Sequence, residues 1–183
     1  MHQQGLTDEA LLALFRDERT KEKAFSLIVS KYKEKLYWHI RRLVVVHEDA
    51  DDVLQNVFIK MWKGLEHFRE ESKLYTWLYR IATNESITFL HKQQKARIVD
   101  LGDTSDLQNS VKADPYFDAS KLEWKLQLAI QTLPEQQRLV FCLRYFDEMP
   151  YNEISEILRV STGSLKASYH HAAKKIEDYL LHH

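Results

Sequence analysis

The chain has 183 residues, 44% of them hydrophobic, which is enough for one medium domain or two small ones. A single cysteine excludes an internal disulfide framework and a cysteine-rich zinc site, and no apolar run approaches the roughly 18 residues that span a membrane. The 26 Lys and Arg oppose 27 Asp and Glu, and this balance disfavours a protein that binds nucleic acid unaided. With four Gly, three Pro and helical apolar spacing, the sequence predicts an all-α fold. No secretory signal is visible, so a cytoplasmic location is expected.

Two helices are predicted at the start. Thr7 is expected to cap the first, with Asp8 and Glu9 in its first turn, where carboxylates complement the helix dipole. A second helix of about six turns follows, because seven apolar side chains share one stripe. They are Phe25, Ile28, Val29, Tyr32, Leu36, Ile40 and Leu43.

A third predicted helix has a second, polar face. Asp49 is expected as its N-cap, and Asp52 lies in the first turn. The buried face is Val53, Leu54, Val57, Phe58, Met61 and Leu65. The opposite face is Asp52, Gln55, Asn56, Lys60 and Lys63, with Ile59 among them. An outward Ile framed by amides and charges fits either an isolated surface residue or the apolar centre of a docking patch.

Aromatic and cationic residues alternate in the loop after this helix and in the next helix. They are Phe68, Arg69, Lys73, Tyr75, Trp77, Tyr79 and Arg80. Bases of single-stranded nucleic acid stack on rings while cations follow phosphates, and a flipped base needs such a pocket. Trp77 shares a helical stripe with Leu74, Leu78 and Ile81 and is expected in the core, whereas the loop residues are candidates for binding.

A change of composition separates the two halves of the chain. Residues 98–120 contain Gly102, Pro115 and five Asp against one Lys, which predicts an acidic flexible linker between a domain at 1–97 and a domain at 121–183. Helical periodicity resumes at Leu122, and Pro134 opens a further helix. Cys142 lies in its apolar run and is expected as a buried core thiol.

The chain ends with two helices separated by a short turn. Pro150 suits the first turn of the earlier helix, and Ser161 is expected to cap the later one. The inner stripe of the later helix is Leu165, Tyr169, Ala172 and Ile176. Its other side carries no carboxylate and holds Ser164, Lys166, Ala167, His170, His171, Lys174 and Lys175. This spacing predicts a helix-turn-helix that faces DNA, although an ordinary helical hairpin gives the same pattern.

Two stretches together resemble the extracytoplasmic-function group of bacterial sigma-70 factors. ADDVLQNVFIKMWKGLEHF followed by YTWLYRIATNESI resembles region 2 of that family, and the run from Leu133 to Ile176 resembles region 4. The two stretches occur in the family's order. The resemblance implies two small helical domains and a sigma factor that directs core RNA polymerase to promoters, with no enzymatic activity, cofactor or metal.

The resemblance also assigns residues to partners. Core RNA polymerase would bind with its β′ coiled coil at Asp52, Gln55, Asn56, Ile59, Lys60 and Lys63, and with its β flap at the first part of region 4. The −10 element of promoter DNA, with a flipped base, would contact Phe68, Arg69, Ser72, Lys73, Tyr75, Arg80 and Asn84. The −35 duplex would contact Ser164, Lys166, Ala167, His170, His171 and Lys174. An anti-sigma factor is expected as a further partner, and membrane insertion is not.

Some positions depart from the family pattern. Asn56 stands where an acidic residue is most common, which puts one β′ contact in doubt. Arg159 replaces the usual turn Gly, so the turn must keep right-handed geometry or tolerate strain. Ser168, His170 and His171 stand where relatives often carry arginines, which puts bidentate readout of guanine in doubt.

Two other functions stay open from the sequence. A helix-turn-helix regulator with an α-helical sensor or dimerisation domain would need a sizeable apolar pocket. A nucleic-acid-processing enzyme would need clustered perturbed carboxylates or a metal. The sequence contains no glycine-rich phosphate loop, nucleophile motif or His/Cys metal spacing, and the adjacent His170 and His171 are a poor metal pair.

Overall fold

The computed structural model describes residues 5–100 and 121–183, with side chains for residues 5–96 and 122–183. Within these ranges the chain is helical and contains no strand, so the predicted all-α fold is confirmed. The helices are α1 Asp8–Arg16, α2 Lys21–Val44, α3 His47–Leu65, α4 Leu74–Asp100, α5 Lys121–Gln131, α6 Glu135–Phe141, α7 Tyr151–Leu158 and α8 Thr162–His182. A π-helical turn, Cys142–Phe146, continues α6. Residues 101–120, most of the predicted linker, lie outside the described residues, and the domain boundaries stay a prediction.

Helices α1 to α4 form the first bundle. The Thr7 side chain accepts a hydrogen bond from the Ala10 amide at 3.2 Å, so the predicted cap of α1 is confirmed. The α2 stripe lies in the core, where Ile28, Leu36 and Ile40 are fully buried. Burying such side chains is the main source of helix stability in a bundle, at about 1.5–3 kcal/mol for each large apolar residue.

The start of α3 differs from the prediction. The helix begins at His47 with Val46 as its N-cap, and Asp49 lies inside the first turn. The cause is the backbone of Val45, which has a φ of 73° and turns the chain sharply after α2. A hydrogen bond of 2.7 Å between the Tyr37 hydroxyl and His47 Nδ1 joins α2 to the first turn of α3. Asp49 therefore complements the helix dipole from within the first turn and does not cap the helix.

Helices α5 to α8 surround a second core. Leu165, Ala172 and Ile176 of α8 are buried, as the inner stripe predicts, and Tyr169 is half-buried. The Ser161 side chain accepts a hydrogen bond from the Ser164 amide at 3.3 Å, which confirms the predicted cap of α8. Cys142 is buried too, and burial raises the pKa of its thiol to about 12.

The two bundles pack against each other. The side-chain amides of Gln127 and Gln131 on α5 both donate to the Arg42 carbonyl near the end of α2, at 3.1 Å each. Helix α7 lies against α4, and the π-helical turn lies against α2. The first residue after that turn, Asp147, inserts its carboxylate between α2 and α4. No sequence pattern predicted this arrangement.

Candidate functional site

The outward face of α3 is a continuous polar surface with one apolar side chain at its centre. All six of its predicted residues are exposed: Asp52, Gln55, Asn56, Ile59, Lys60 and Lys63. Ile59 has 53% of its surface exposed and is the one apolar side chain among these six residues. Lys60 forms an ion pair with Glu85 of α4, so one of the two cations on this face also joins two helices. The face is suited to contact a protein surface with an apolar pocket and polar surroundings.

The loop between α3 and α4 positions an aromatic pair. The ring centroids of Phe68 and Trp77 lie 5.1 Å apart with a tilt of 44°, and both side chains are half-buried. Trp77 therefore packs against the core, as predicted, while part of its ring stays accessible beside Phe68. Two ion pairs, Arg16 with Glu70 and Lys21 with Glu66, attach the loop to the first two helices. Glu70 adopts a φ of 58°, which shapes the loop around Phe68.

The other candidate residues of this surface extend along α4. Arg69 is exposed and Ser72 is half-buried. The Lys73 ammonium lies 5.8 Å from the centre of the Tyr75 ring, which is within the range of a cation–π contact. Arg80 and Asn84 face a groove of about 490 Å³ whose opposite wall includes Ile157 and Val160. The structure thus aligns the predicted −10 residues along one side of the molecule, although the second bundle covers part of it.

The Lys73 side chain also contacts the second bundle. Its Nζ donates to Oε1 of Glu153 at 2.7 Å, and Glu153 lies on α7. The hydrogen bond from Lys73 to this carboxylate raises the pKa of Lys73, and the attraction between their charges adds to the effect. No sequence pattern paired these residues, because 80 positions separate them and the periodicity of one helix contains no information about its distant partners.

Asp147 and His39 are a second pair that the sequence analysis missed. His39 is fully buried, and its Nδ1 lies 3.0 Å from Oδ2 of Asp147 while its Nε2 lies 2.9 Å from the Thr83 hydroxyl. Tyr79 donates to the other carboxylate oxygen of Asp147 at 3.2 Å. Burial raises the pKa of Tyr79, and the neighbouring Asp147 charge raises it further. The sequence feature that could have indicated this pair is the position of His39 on the apolar stripe of α2, because a buried imidazole needs a hydrogen-bonding partner.

The outward face of α8 is open. Its predicted contact residues, Ser164, Lys166, Ala167, His170, His171 and Lys174, are all exposed. The rings of His170 and His171 are 5.9 Å apart and tilted by 59°. Lys166 lies 5.9 Å from the centre of the Tyr151 ring, which links α8 to the preceding helix α7. This geometry is that of a helix-turn-helix whose second helix is free to enter a major groove.

The described part of the chain has neither a cluster of metal-binding side chains nor a membrane-spanning helix. No group of three or more His, Cys, Asp or Glu side chains is arranged to hold a metal ion. None of the described helices is both long and apolar enough to cross a bilayer.

Two family models match the chain in sequential order. Sigma-70 region 2 matches residues 28–96, and Sigma-70, region 4 matches residues 123–176. The chain is similar to the ECF RNA polymerase sigma-E factor of Haemophilus influenzae, with 33% identity over 94% of this chain and 95% of the relative. The sigma-E factor of Escherichia coli K12 is 31% identical over 94% of each chain.

Two solved structures share this fold. One is the sigma factor RpoE in complex with the anti-sigma factor NepR from Bartonella quintana, with a TM-score of 0.74, 22% identity, and coverage of 87% of this chain and 98% of that chain. The other is CnrH in complex with the cytosolic domain of CnrY, with a TM-score of 0.67, 20% identity, and coverage of 94% and 96%.

Proposed function

This chain belongs to the extracytoplasmic-function group of the sigma-70 family and directs core RNA polymerase to promoters, and we propose that three of its surfaces divide this task. The α3 face binds core polymerase, the Phe68–Asn84 surface captures the −10 strand, and α8 reads the −35 duplex. Family membership decides against the regulator with a sensor domain. We also propose that the chain itself catalyses no reaction and acts in the cytoplasm, where polymerase is.

The α3 face fits the contact with polymerase because its centre is apolar and its edge is polar. Hot spots in protein interfaces are central side chains that become fully desolvated, and the surrounding polar residues exclude water. Ile59 is in the central position, and Gln55, Asn56 and Lys63 surround it. Asn56 supplies an amide where relatives often have a carboxylate, so this chain makes a hydrogen bond where others make an ion pair.

The Phe68–Asn84 surface fits capture of a displaced strand. Phe68 beside Trp77 offers an accessible aromatic edge for a base, and stacking of one base on a ring contributes about 1–3 kcal/mol. Arg69, Lys73 and Arg80 supply cations along the same side for the backbone phosphates. Ser72, Tyr75 and Asn84 provide hydrogen-bonding groups between these cations.

The α8 face fits the recognition of duplex DNA, but its charges contribute less to the binding free energy than those of relatives with arginines at these positions. Lys166 and Lys174 approach phosphates, while Ser164, Ala167, His170 and His171 meet base edges or sugars. Two histidines where relatives often have arginines make fewer charged contacts, so the second bundle binds DNA weakly by itself. Attachment to polymerase compensates by raising its effective concentration at the promoter.

An anti-sigma protein is a further proposed partner. Both of the similar solved structures are complexes, one with the anti-sigma factor NepR and one with the cytosolic domain of CnrY. We propose that a protein inhibitor also binds this chain.

One observation carries the polymerase assignment, the 53% exposure of Ile59 at the centre of the α3 face. The test is Ile59→Glu, measured as the affinity of the purified full chain for core polymerase. A carboxylate in a desolvated centre is expected to cost at least about 2 kcal/mol, or roughly 30-fold in Kd. Thermal stability should be unchanged, because the side chain points outward.

Leu6→Glu is the matched control. Leu6 is also an exposed aliphatic residue, at 46%, but it precedes α1 and is outside the proposed surface. Its substitution should leave the affinity for polymerase unchanged. If Ile59→Glu bound core polymerase as tightly as Leu6→Glu, the α3 assignment would be wrong.

A further inference from the structure

Two adjacent histidines lie on the outward face of α8. His170 and His171 are both exposed, and their ring centroids are 5.9 Å apart. Within the described part of the chain, neither imidazole forms a hydrogen bond or an ion pair, and each ring contacts only the other. Histidine is the side chain whose unperturbed pKa, about 6.5, falls within the physiological range. The charge of such a ring therefore depends on what surrounds it.

The helix places the two rings on opposite sides of its outward line. Successive residues of an α-helix are about 100° apart, so Ala167 and Lys174 point in almost the same direction. By the same spacing, His170 and His171 lie about 50° to either side of that direction. A helix with its side chains is about 10–12 Å wide, and the major groove of B-DNA is about 12 Å wide. The flanks of an inserted helix therefore meet both walls of the groove, and each wall is a sugar–phosphate backbone.

The charged groups of α8 itself around the two rings are mainly positive. Lys166, Lys174 and Lys175 are exposed on the same part of the helix. The nearest carboxylates toward the end of α8 are Glu177 and Asp178, and each follows one of the two histidines by seven residues, or about 10 Å along the axis. No carboxylate of α8 is therefore close enough to compete with a DNA phosphate for either ring.

The helices packed against α8 bring no carboxylate to the two rings either. Helices α5, α6 and α7 contact α8 along its buried inner stripe. Their carboxylates are Glu123, Glu135, Glu153 and Glu156. Two of these pair with α4 instead, Glu135 with His91 and Glu153 with Lys73. In the described structure none of the four forms an ion pair with either ring of α8, so both rings can respond to groups outside the chain.

The other charged or titratable groups beside α8 are cations and phenols. They are Lys125, Arg138, Arg144, Tyr145 and Tyr151, with Arg159 in the turn before α8. Arg138 and Arg144 donate to backbone carbonyls of their own bundle. Tyr151 contacts Lys166, on the flank of α8. None of these groups supplies the negative charge that an imidazolium needs as a partner.

DNA would change the charge that surrounds the rings. In the free chain the outward face of α8 borders water and lysines, whereas in a major groove it borders the phosphates of both strands. Negative neighbours favour the charged form of an imidazole. A neutral ring at this place meets sugars or base edges, and the protonated ring also donates a charge-assisted hydrogen bond to the phosphate beside them. The complex therefore binds more protons than the free chain.

We propose that His170 and His171 make recognition of the −35 duplex proton-linked, each ring taking up a proton as it meets a phosphate of the groove. This inference rests on the proposed role of α8 at the −35 duplex. A group whose pKa is higher in the complex than in the free chain adds affinity that is complete below the free-chain pKa. That affinity is lost as the pH rises through the pKa of the complex. Binding to the −35 element therefore strengthens as the pH falls, whereas arginines would provide a constant charge.

The test is DNA binding by the full chain, in which the α8 face is exposed. Fluorescence anisotropy measures Kd at about pH 6, 7 and 8 for a duplex with the −35 element of a promoter that the reconstituted holoenzyme transcribes. Each histidine whose pKa rises by one unit on binding should tighten Kd roughly five-fold between pH 8 and pH 6. A plot of log Kd against log salt should be steeper at pH 6 by up to about 0.9 for each ring, because each ring neutralises one phosphate.

Two double variants separate the charge of the rings from their shape. His170→Gln with His171→Gln keeps polar side chains that cannot be charged, and its Kd should be the same at all three pH values. His170→Arg with His171→Arg carries a permanent charge and should bind as tightly at pH 8 as at pH 6. The other histidines of the chain remain in both variants. A Kd of the unmodified chain that does not change with pH, or a pH dependence that the glutamine variant keeps, would overturn the proposal.

A separate arm tests the assignment of α8 itself. Lys166→Ala with Lys174→Ala should weaken binding of the same duplex at every pH, because two phosphate contacts are removed. Unchanged affinity of this variant would overturn the −35 role of α8, and the proton linkage with it. Weaker binding by the lysine variant, combined with a pH-independent Kd of the unmodified chain, would overturn the proton linkage alone.

Discussion

Gly64 determines how closely α3 approaches the indole ring of Trp77. A Cβ at this position would lie 2.8 Å from Cζ2 of Trp77 and 3.1 Å from Cη2, which is too close for the ring to stay in place. Trp77 in turn supports Phe68, the aromatic edge of the proposed base pocket. The glycine is therefore required by packing, since the helical backbone at this position would accept any residue.

We expect Gly64→Ala to destabilise the protein, although this change in a helix usually stabilises by up to about 1 kcal/mol. Displacing a packed ring costs about 1–3 kcal/mol and should exceed that gain. Gly163→Ala in the first turn of α8 is the control, because nothing lies within 4 Å of its added Cβ. Urea midpoints of both variants measure the difference. A rise in midpoint for both would show that Trp77 moves freely and that the close contact has no cost.

At the scale of elements, the end of α7 is strained. Arg159 is the C-cap residue, with φ 56° and ψ 41°, and its amide donates to the Ser155 carbonyl at 2.8 Å. This left-handed conformation costs an L-residue about 1–2 kcal/mol, and glycine adopts it without that penalty. The sequence had left two possibilities for this turn, right-handed geometry or strain, and the structure has the strained form. The conformation sets the direction in which the chain enters α8.

We expect Arg159→Gly to stabilise the protein by about 0.5–1 kcal/mol. Glycine relieves the strain of the left-handed conformation, but part of this gain is lost because glycine has more conformational freedom in the unfolded chain. Arg159→Ala is the control, because it removes the same side chain and keeps the Cβ. The urea midpoint should rise for the glycine variant only. An equal rise for alanine would attribute the effect to the arginine side chain, and the backbone argument would fail.

At the scale of the whole molecule, several buried acids make the fold sensitive to alkali. Burial raises the pKa of Cys142 from 9.0 to about 12. Burial also raises the pKa of Tyr32 and Tyr79 above their ordinary value of 10.0. Cys142 is in the core of the second bundle, Tyr32 is in the first, and Tyr79 is where they meet. Each group loses its proton more readily in the unfolded chain than in the folded one.

Stability should therefore be complete below about pH 9 and fall as the pH rises from about 9 toward 12, because the unfolded state then binds fewer protons. Urea midpoints at about pH 7, 9 and 10.5 measure this fall. In Cys142→Ala the fall should start later, near pH 10, since only the tyrosines and lysines remain to titrate. A midpoint that stays constant up to pH 10.5 would contradict the burial of these groups.

The sequence by itself determined the helices, two of their N-caps and the exposed surfaces, because these depend on local spacing. The Thr7 and Ser161 caps, the buried α2 stripe and the outward Ile59 all follow from which side of a helix a residue occupies. The start of α3 escaped prediction, since it depends on a single strained residue, Val45, that no propensity identifies.

Only the tertiary structure decided how the two bundles meet. Lys73 pairs with Glu153 across 80 positions, and His39 with Asp147 across 108. Helical periodicity places a side chain on a face, but it contains no information about which distant face will cover it. That choice depends on complementary shape, charge and hydrogen bonding between whole surfaces, and these exist only after each bundle has folded.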